Sequence, residues 1–493
     1  MVSRSMATLS RVCTAAACLV LGTTALSQIT DAAPAAAAGS SVSPLTTQRS
    51  GGVYVTNEGT PAGVSQYAIG LAGDLFPLSP PTVATDPTPN FLAVTPNGKS
   101  VYVSSDFFID TVSQYTVDPS TGSLTPKNPP TVSPGRFPAG IAVTPNSKSA
   151  YVVSNTDRNI GQYNINPVTG GLSPKSPPTV AVPALAEPWA VAVSPDGKSA
   201  YVTGIGGGST VLQYDIHPKT GNLSPKTPAS VAAGGGDDPN GVAVSPDGKS
   251  VYVTNTGIGL SGTLSQYNVD PLTGALSPKV PATVATGFGP YGVAVTPDGK
   301  SVYVTNYGNP VGPPPGDTLS QYNVDPLTGA LSPKVSATVA AGLSPRGIAV
   351  TPDGKDVYVT NVGDNTLSQY NIDALTGALS LKTPATVATG SGPTDVAVGP
   401  GPVIITTTSL PPGTVGQPYS VQLEAVGGTP PYTWNKYLPK GMGILPRGVG
   451  LSKSGLISGT PKRAGTYPIT VKCLDSTSRR TQATQTLTLT INP

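Results

Sequence analysis

From Gly292 to Asn306 the chain reads GVAVTPDGKSVYVTN, and from Leu319 to Lys334 it reads LSQYNVDPLTGALSPK. GVAV, VYVTN and LSQYNV are short runs rich in β-branched and aromatic residues, and a fourth such run, PATVATG, stands at Pro281–Gly287 after the same LSPK text. None is long enough for a helix, and each is bounded by turn residues: TPDGKS between the first two, DPLTGALSPK between the third and fourth. Pro, Asp and Gly in that order supply the fixed φ, the local side-chain acceptor and the left-handed position that a tight turn needs. The unit therefore predicts four antiparallel strands and no helix.

The unit recurs over most of the chain. The tyrosine of the YVTN-like run falls at Tyr54, Tyr102, Tyr151, Tyr201, Tyr252, Tyr303 and Tyr358, and that of the QY pair at Tyr67, Tyr115, Tyr163, Tyr214, Tyr267, Tyr322 and Tyr370. Seven four-stranded units of about fifty residues predict an all-β, seven-bladed β-propeller. GVAV alternates small residues with Val, which suits the strand nearest the axis, where wedge-shaped blades converge. The first unit opens at GGVYVTN from Gly51 without an innermost strand, and the last is followed by an unpaired one, DVAV, at Asp395–Val398. Pairing these two ends closes the ring and removes exposed sheet edges; an open solenoid would leave both half-blades unpaired.

YVTN with PDGK turns resembles the YVTN-repeat β-propellers, and YNVDPLTGALSPK is similar to the hairpin of the lactonase-type seven-bladed propellers, over roughly Gly51 to Gly399. The resemblance implies the fold; its motifs lie in blade-building turns and strands and say little of activity. After Pro400 the period stops. LPPGTVGQPYSVQLEAVGGTPPYTW and SGLISGTPKRAGTYPITV resemble bacterial Ig modules related to cadherin-like domains, with KYLPKGMGILPRGVG from Lys436 to Gly450 as an insertion. A β-sandwich is implied, and with only Glu424 and Asp475 as carboxylates it offers no calcium cage. The division read from the sequence is a secretory leader at 1–38, a linker at 39–50, a propeller at 51–400 closed by 395–398, and an Ig-like sandwich at 401–493.

With 58 glycines, 55 prolines and only 11% charged residues, the composition excludes a helical bundle. The net charge of +3 without a basic run argues against nucleic-acid binding. At the start, Arg4 and Arg11 precede an apolar stretch from Val12 to about Leu26 and then Ala36-Ala37-Ala38, the order of an export leader. That stretch is shorter than the ~20 residues of a membrane span, and most of it follows Cys18, which argues against a lipid anchor there. Expected localisation is therefore secreted, extracellular or cell-wall associated. Cys473 alone survives leader removal, in the alternating run YPITVKCLD, which predicts a buried free thiol and no disulfide.

Antiparallel alternation puts the repetitive turns on one face of the disk and the variable loops on the other. The first carries Lys99, Lys127, Lys148, Lys175, Lys198, Lys219, Lys226, Lys249, Lys279, Lys300, Lys334, Lys355 and Lys382, read as a solvated turn face. On the variable face eleven acids, Glu58, Glu187 and Asp395 among them, stand against Arg136, Arg158 and Arg346, with no lysine. Variable loops on a rigid array are where binding resides. Residues opening the innermost strands should ring the channel mouth: Asn90, Ala139, Trp189, Asn240, Tyr291, Arg346 and Thr394. Of these, Asn90, Trp189, Asn240, Tyr291 and Arg346, with Asp395, Glu58 and Glu187, form the expected ligand site, combining stacking surface with amide and guanidinium donors. Trp189 and Tyr291 could equally plug the channel.

The lactonase-type resemblance implies histidines near the axis, and the ring has none. His217, in DIHPKTGN, stands where other units have Asp-Pro and belongs to a turn. The favoured expectation is thus a noncatalytic, monomeric propeller without metal or cofactor. It would bind an extracellular glycan, a cation-bearing ligand or a protein through its acidic face, with the Ig-like module as spacer or adhesion module. The alternative is a lactonase-like hydrolase or cyclase at the channel mouth, using carboxylates such as Glu58, Glu187 or Asp395.

Overall fold

The computed structural model describes residues 48–493 apart from 107–108, 184–185, 206–208, 235–237, 258–260, 309–314, 402, 429–431, 437–444 and 477–481. The leader lies outside the described residues, as does most of the insertion in the Ig-like module. Seven four-stranded antiparallel sheets follow one another along the chain. In the first, β1 (Gln48–Asn57), β2 (Gly63–Gly70) and β3 (Leu75–Ala84) are joined by Pro393–Val398 from the far end of the array. Tyr54 faces Ala397 and Val55 faces Val396 across that seam, so the ring is closed by a strand pair. The first strand begins at Gln48, where it already pairs with Gly70.

Each turn of the text has its structural reason. In TPDGKS at 296–301, Asp298 accepts hydrogen bonds from the Thr296 hydroxyl at 2.6 Å and the Lys300 amide at 3.1 Å, while Gly299 takes φ +73°. In DPLTG at 325–329, the Asp325 carboxylate accepts the Leu327 and Thr328 amides. His217 fills that position in its own unit, its Nδ1 accepting the Lys219 and Thr220 amides at 3.3 and 3.2 Å. It is a turn residue.

The repeated side chains hold one blade to the next. The YVTN tyrosine is fully buried in every unit and donates to a carbonyl in the following blade, as Tyr303 does to Gly377 at 2.6 Å. In the last blade Tyr358 reaches back to Gly73 of the first at 2.7 Å. The glutamine of each QY pair accepts the leading amide of the next blade's outermost strand; Gln369 and Leu75 complete the circle at 2.9 Å. The YVTN threonine works near the axis: Thr305 accepts the Gly292 amide and donates to the Arg346 carbonyl of the following blade at 2.8 Å. Each residue thus satisfies a buried backbone group that the ladders leave over.

One expectation is overturned. LSPK is not turn but the start of the outermost strand, with Leu331 paired to Val324 and Pro333 to Tyr322 before the register shifts. Its lysine therefore points into the seam between blades instead of solvent. Lys175, Lys226, Lys279, Lys334 and Lys382 are only 5–7% exposed. Lys334 donates to Asn323 Oδ1 at 2.7 Å and to the Thr376 carbonyl of the next blade at 2.6 Å. The long apolar stem packs while the ammonium reaches two acceptors at the seam. Lys198, Lys249 and Lys300, in the other turns, are about four-fifths exposed, as the solvated reading requires.

Beyond Pro400 two further sheets form, 413–414, 482–492, 465–474 and 433–436 in one, and 419–422, 456–459 and 449–451 in the other, with a short pair at 404–405 and 425–426. Trp434, Ile457, Ile469, Val471, Leu487 and Leu489 fill the space between them. Cys473 is a buried free thiol in that core.

Candidate active site at the channel mouth

The innermost strands begin with proline in six of the seven blades, and the residue after it opens on the variable face. Arg346 follows Pro345 at the start of Pro345–Val350. Its guanidinium Nη2 donates to Asn90 Oδ1 at 2.7 Å and to the Tyr291 hydroxyl at 2.9 Å, and its Cζ lies 4.8 Å from the Tyr291 ring centre. Asn90 sits two blades on from Arg346 and Tyr291 one blade before, so this cluster bridges the mouth. Asn90 is fixed in turn by its Nδ2, which donates to Asp106 Oδ2 at 3.0 Å. That bond orients the amide so that its oxygen faces the arginine. Tyr307 packs 6.1 Å from Tyr291, and burial raises the pKa of its hydroxyl.

Asp395 stands beside this cluster. Its position is occupied by Gly or Ala in five other innermost strands, Gly140, Ala190, Gly241, Gly292 and Gly347, because the neighbouring strand packs there: a Cβ on Gly347 would lie 2.7 Å from Asp395 Cα. In the closing strand the carboxylate uses the gap. Oδ2 accepts the Leu92 amide at 3.1 Å and Oδ1 its neighbour Val396 at 2.9 Å. Burial pushes the carboxyl up to about 6, against these two donors and the charge of Arg346, which pull it down. Although burial disfavours the charged guanidinium, Tyr291 and Glu58 raise the pKa of Arg346 overall. A half-buried carboxyl near neutrality next to a permanent cation can exchange a proton and steady a developing anion.

The expected site residues divide. Asn90, Tyr291, Arg346 and Asp395 come together, with Glu58 at their edge. Trp189 does not join them: it is 5% exposed, edge-on to Phe91 at 5.7 Å, and packed with Ala139, Val153 and Ala190. Tyr291 also lies against that hydrophobic cluster, so Trp189 backs the site as packing. Asn240 is bonded to Thr256 Oγ1 and the Asp238 carbonyl, capping its own loop. Glu187 pairs with Arg158 at 3.5 Å. Ala139 and Thr394 are buried. Several variable-face acids serve as loop clamps: Asp110 accepts the Phe137 amide at 2.7 Å and Asp157 the Arg136 amide at 2.8 Å. Asp106 and Tyr307 are the site residues sequence reasoning did not select. Tyr307 follows the YVTN run directly, and only its aromatic character against Thr256 and Val362 in neighbouring units could have marked it. Among the described residues there is no group of three metal-ligating side chains.

The model described as "Lactonase, 7-bladed beta-propeller" matches residues 79–289 and 280–398. The chain belongs to the lactonase family of seven-bladed β-propellers. Residues 401–492 match the model described as "Putative Ig domain". Among solved structures, a "putative 6-phosphogluconolactonase" from Bacteroides fragilis is similar at 22% identity and TM-score 0.61, over 72% of this chain and 99% of that one. A second of that description from Bacteroides uniformis gives 22% and 0.59 over 71% and 100%. The periplasmic gluconolactonase of Pseudomonas aeruginosa gives 21% and 0.56 over 71% and 99%. At these identities the likeness is one of fold. No curated protein matches the chain. Among the described residues no helix is long and apolar enough to cross a membrane.

Proposed function

We propose that this lactonase-family propeller is a lactone hydrolase acting at the mouth formed by Asp395, Arg346, Asn90 and Tyr291, in place of the binding-only role expected from the missing histidines. The observation that carries the reading is the placement of the Asp395 carboxyl, held by the Leu92 and Val396 amides, beside the Arg346–Asn90–Tyr291 cluster at the mouth; burial raises its pKa. In its ionised form Asp395 takes a proton from a water as the water oxygen adds to the lactone carbonyl carbon. Arg346 and the Tyr291 hydroxyl face the oxygen that becomes negative. Collapse of the tetrahedral species breaks the ring C–O bond, and the departing alkoxide recovers the proton from Asp395. Water and lactone become one hydroxy acid, and the carboxylate is regenerated.

Turnover of a panel of sugar δ-lactones by the purified chain, corrected for spontaneous opening, tests this. Asp395→Asn should lower kcat/KM by about 10²–10⁴ and Arg346→Met by about 10², with the fold retained. Wild-type rates equal to the background would leave only the ligand-binding role. We further propose that residues 1–38 direct export and that the Ig-like module acts as a spacer or surface contact. Amino-terminal sequencing of the protein from culture medium checks the first point.

A further inference from the structure

Building on the hydrolase reading, we infer that the substrate is an uncharged sugar lactone, one that carries hydroxyls but no phosphate. The variable face holds three cations, Arg136, Arg158 and Arg346, and no lysine; its loops outside the described residues add none. Two of the three meet acidic or polar partners, and the third stands exposed in a loop. Arg346 spends its Nη2 on Asn90 and Tyr291, and its charge is opposed by Asp395 and Glu58. Arg158 faces Glu187. Arg136 lies in an exposed loop whose backbone amide is clamped by Asp157.

The lysines that could have served are committed elsewhere. Five of the six in the outermost strands are buried in blade seams, Lys127 is half-buried, and the exposed ones belong to the opposite face. A phosphate ester brings a charge of about −1.5 to −2 and needs several cations or a helix N-terminus to replace its water. The described propeller residues contain no helix. The mouth supplies neutral groups instead, the Tyr291 and Tyr307 hydroxyls, which match sugar hydroxyls. Carboxylates on the same face, Glu58 among them, repel a dianion, and added salt screens that repulsion.

The test compares kcat/KM of the full chain for glucono-1,5-lactone and its 6-phosphate at low and at raised ionic strength. The neutral lactone should be favoured at least tenfold at low salt. The gap should narrow as salt screens the rim, and Glu58→Gln should narrow it further. Equal or better use of the phosphorylated lactone overturns this inference while leaving the hydrolase reading standing. Turnover of neither lactone overturns both.

Discussion

Replacing Lys382 by Met should destabilise the propeller by about 3–5 kcal/mol, whereas the same change at Lys334 should cost about 1–2 kcal/mol. The two lysines hold equivalent places in adjacent blades. Lys334 meets only neutral acceptors, Asn323 Oδ1 and the Thr376 carbonyl. Lys382 donates to Asn371 Oδ1, to the Ala72 carbonyl across the closing seam, and to Asp356 Oδ1 at 2.7 Å. Asp356 stands where five other units have Ser100, Ser149, Ser199, Ser250 and Ser301 and the first has Gly52, and only 2% of its side chain is exposed. Met at 382 keeps the apolar volume but strands a buried carboxylate without its ion-pair partner. Lys226 is an informative intermediate, because its partner Asp215 is 55% exposed and water can compensate. Guanidinium titration followed by Trp and Tyr fluorescence reads the midpoint shifts at unchanged m. The double change Lys382→Met/Asp356→Ser should recover about 2 kcal/mol. Equal losses at 382 and 334, or additivity of the double variant, would refute the assignment of Asp356 and Lys382 as a buried closing pair.

Gly347→Ala should lower kcat/KM for lactone about tenfold, since its Cβ would sit 2.9 Å from Asp395 Oδ1 and the strand must shift; Gly450→Ala, whose Cβ would meet only the Ser458 carbonyl at 4.0 Å, should leave turnover unchanged. Asp395 also sets a pH dependence of stability. With its folded pKa raised from 3.8 to about 6, the folded state binds the proton more tightly than the unfolded chain. Stability from this group is therefore full below pH 4 and lost as pH rises through 6, by about 1–3 kcal/mol. Asp395→Asn should remove that slope in urea titrations between pH 4 and 7. Burial pushes the Cys473 thiol up to about 12, so a thiol reagent at pH 8 should label Cys473 only at the rate of unfolding of the Ig-like module.

The repeat made the architecture legible because one buried environment recurs seven times. Tyr303, Gln321 and Thr305 sit in the same seam as their counterparts, so the period alone counts blades and the orphan strands alone close the ring. The inward course of the LSPK lysines is not legible locally, because a Lys beside a turn looks solvated. Only the register shift in the outermost strand, which no local pattern announces, turns it inward. At the mouth, position in the repeat placed Arg346, Tyr291 and Asn90 on one ring. It could not say that Arg346 would reach across to Asn90 while Trp189 folded against Phe91. Those are choices of long side chains among nonlocal partners. The most telling local sign was an exception, Asp395 at a site kept to Gly or Ala in five other blades.

The pH profile of kcat/KM for glucono-1,5-lactone, wild type against Asp395→Asn, reaches the mechanism most directly. Wild type should gain rate with an inflection near pH 6, as the carboxylate ionises, and the amide variant should show a flat, strongly reduced line. An Asp395→Asn enzyme that keeps the wild-type rate and the same inflection would place the proton-transferring group elsewhere.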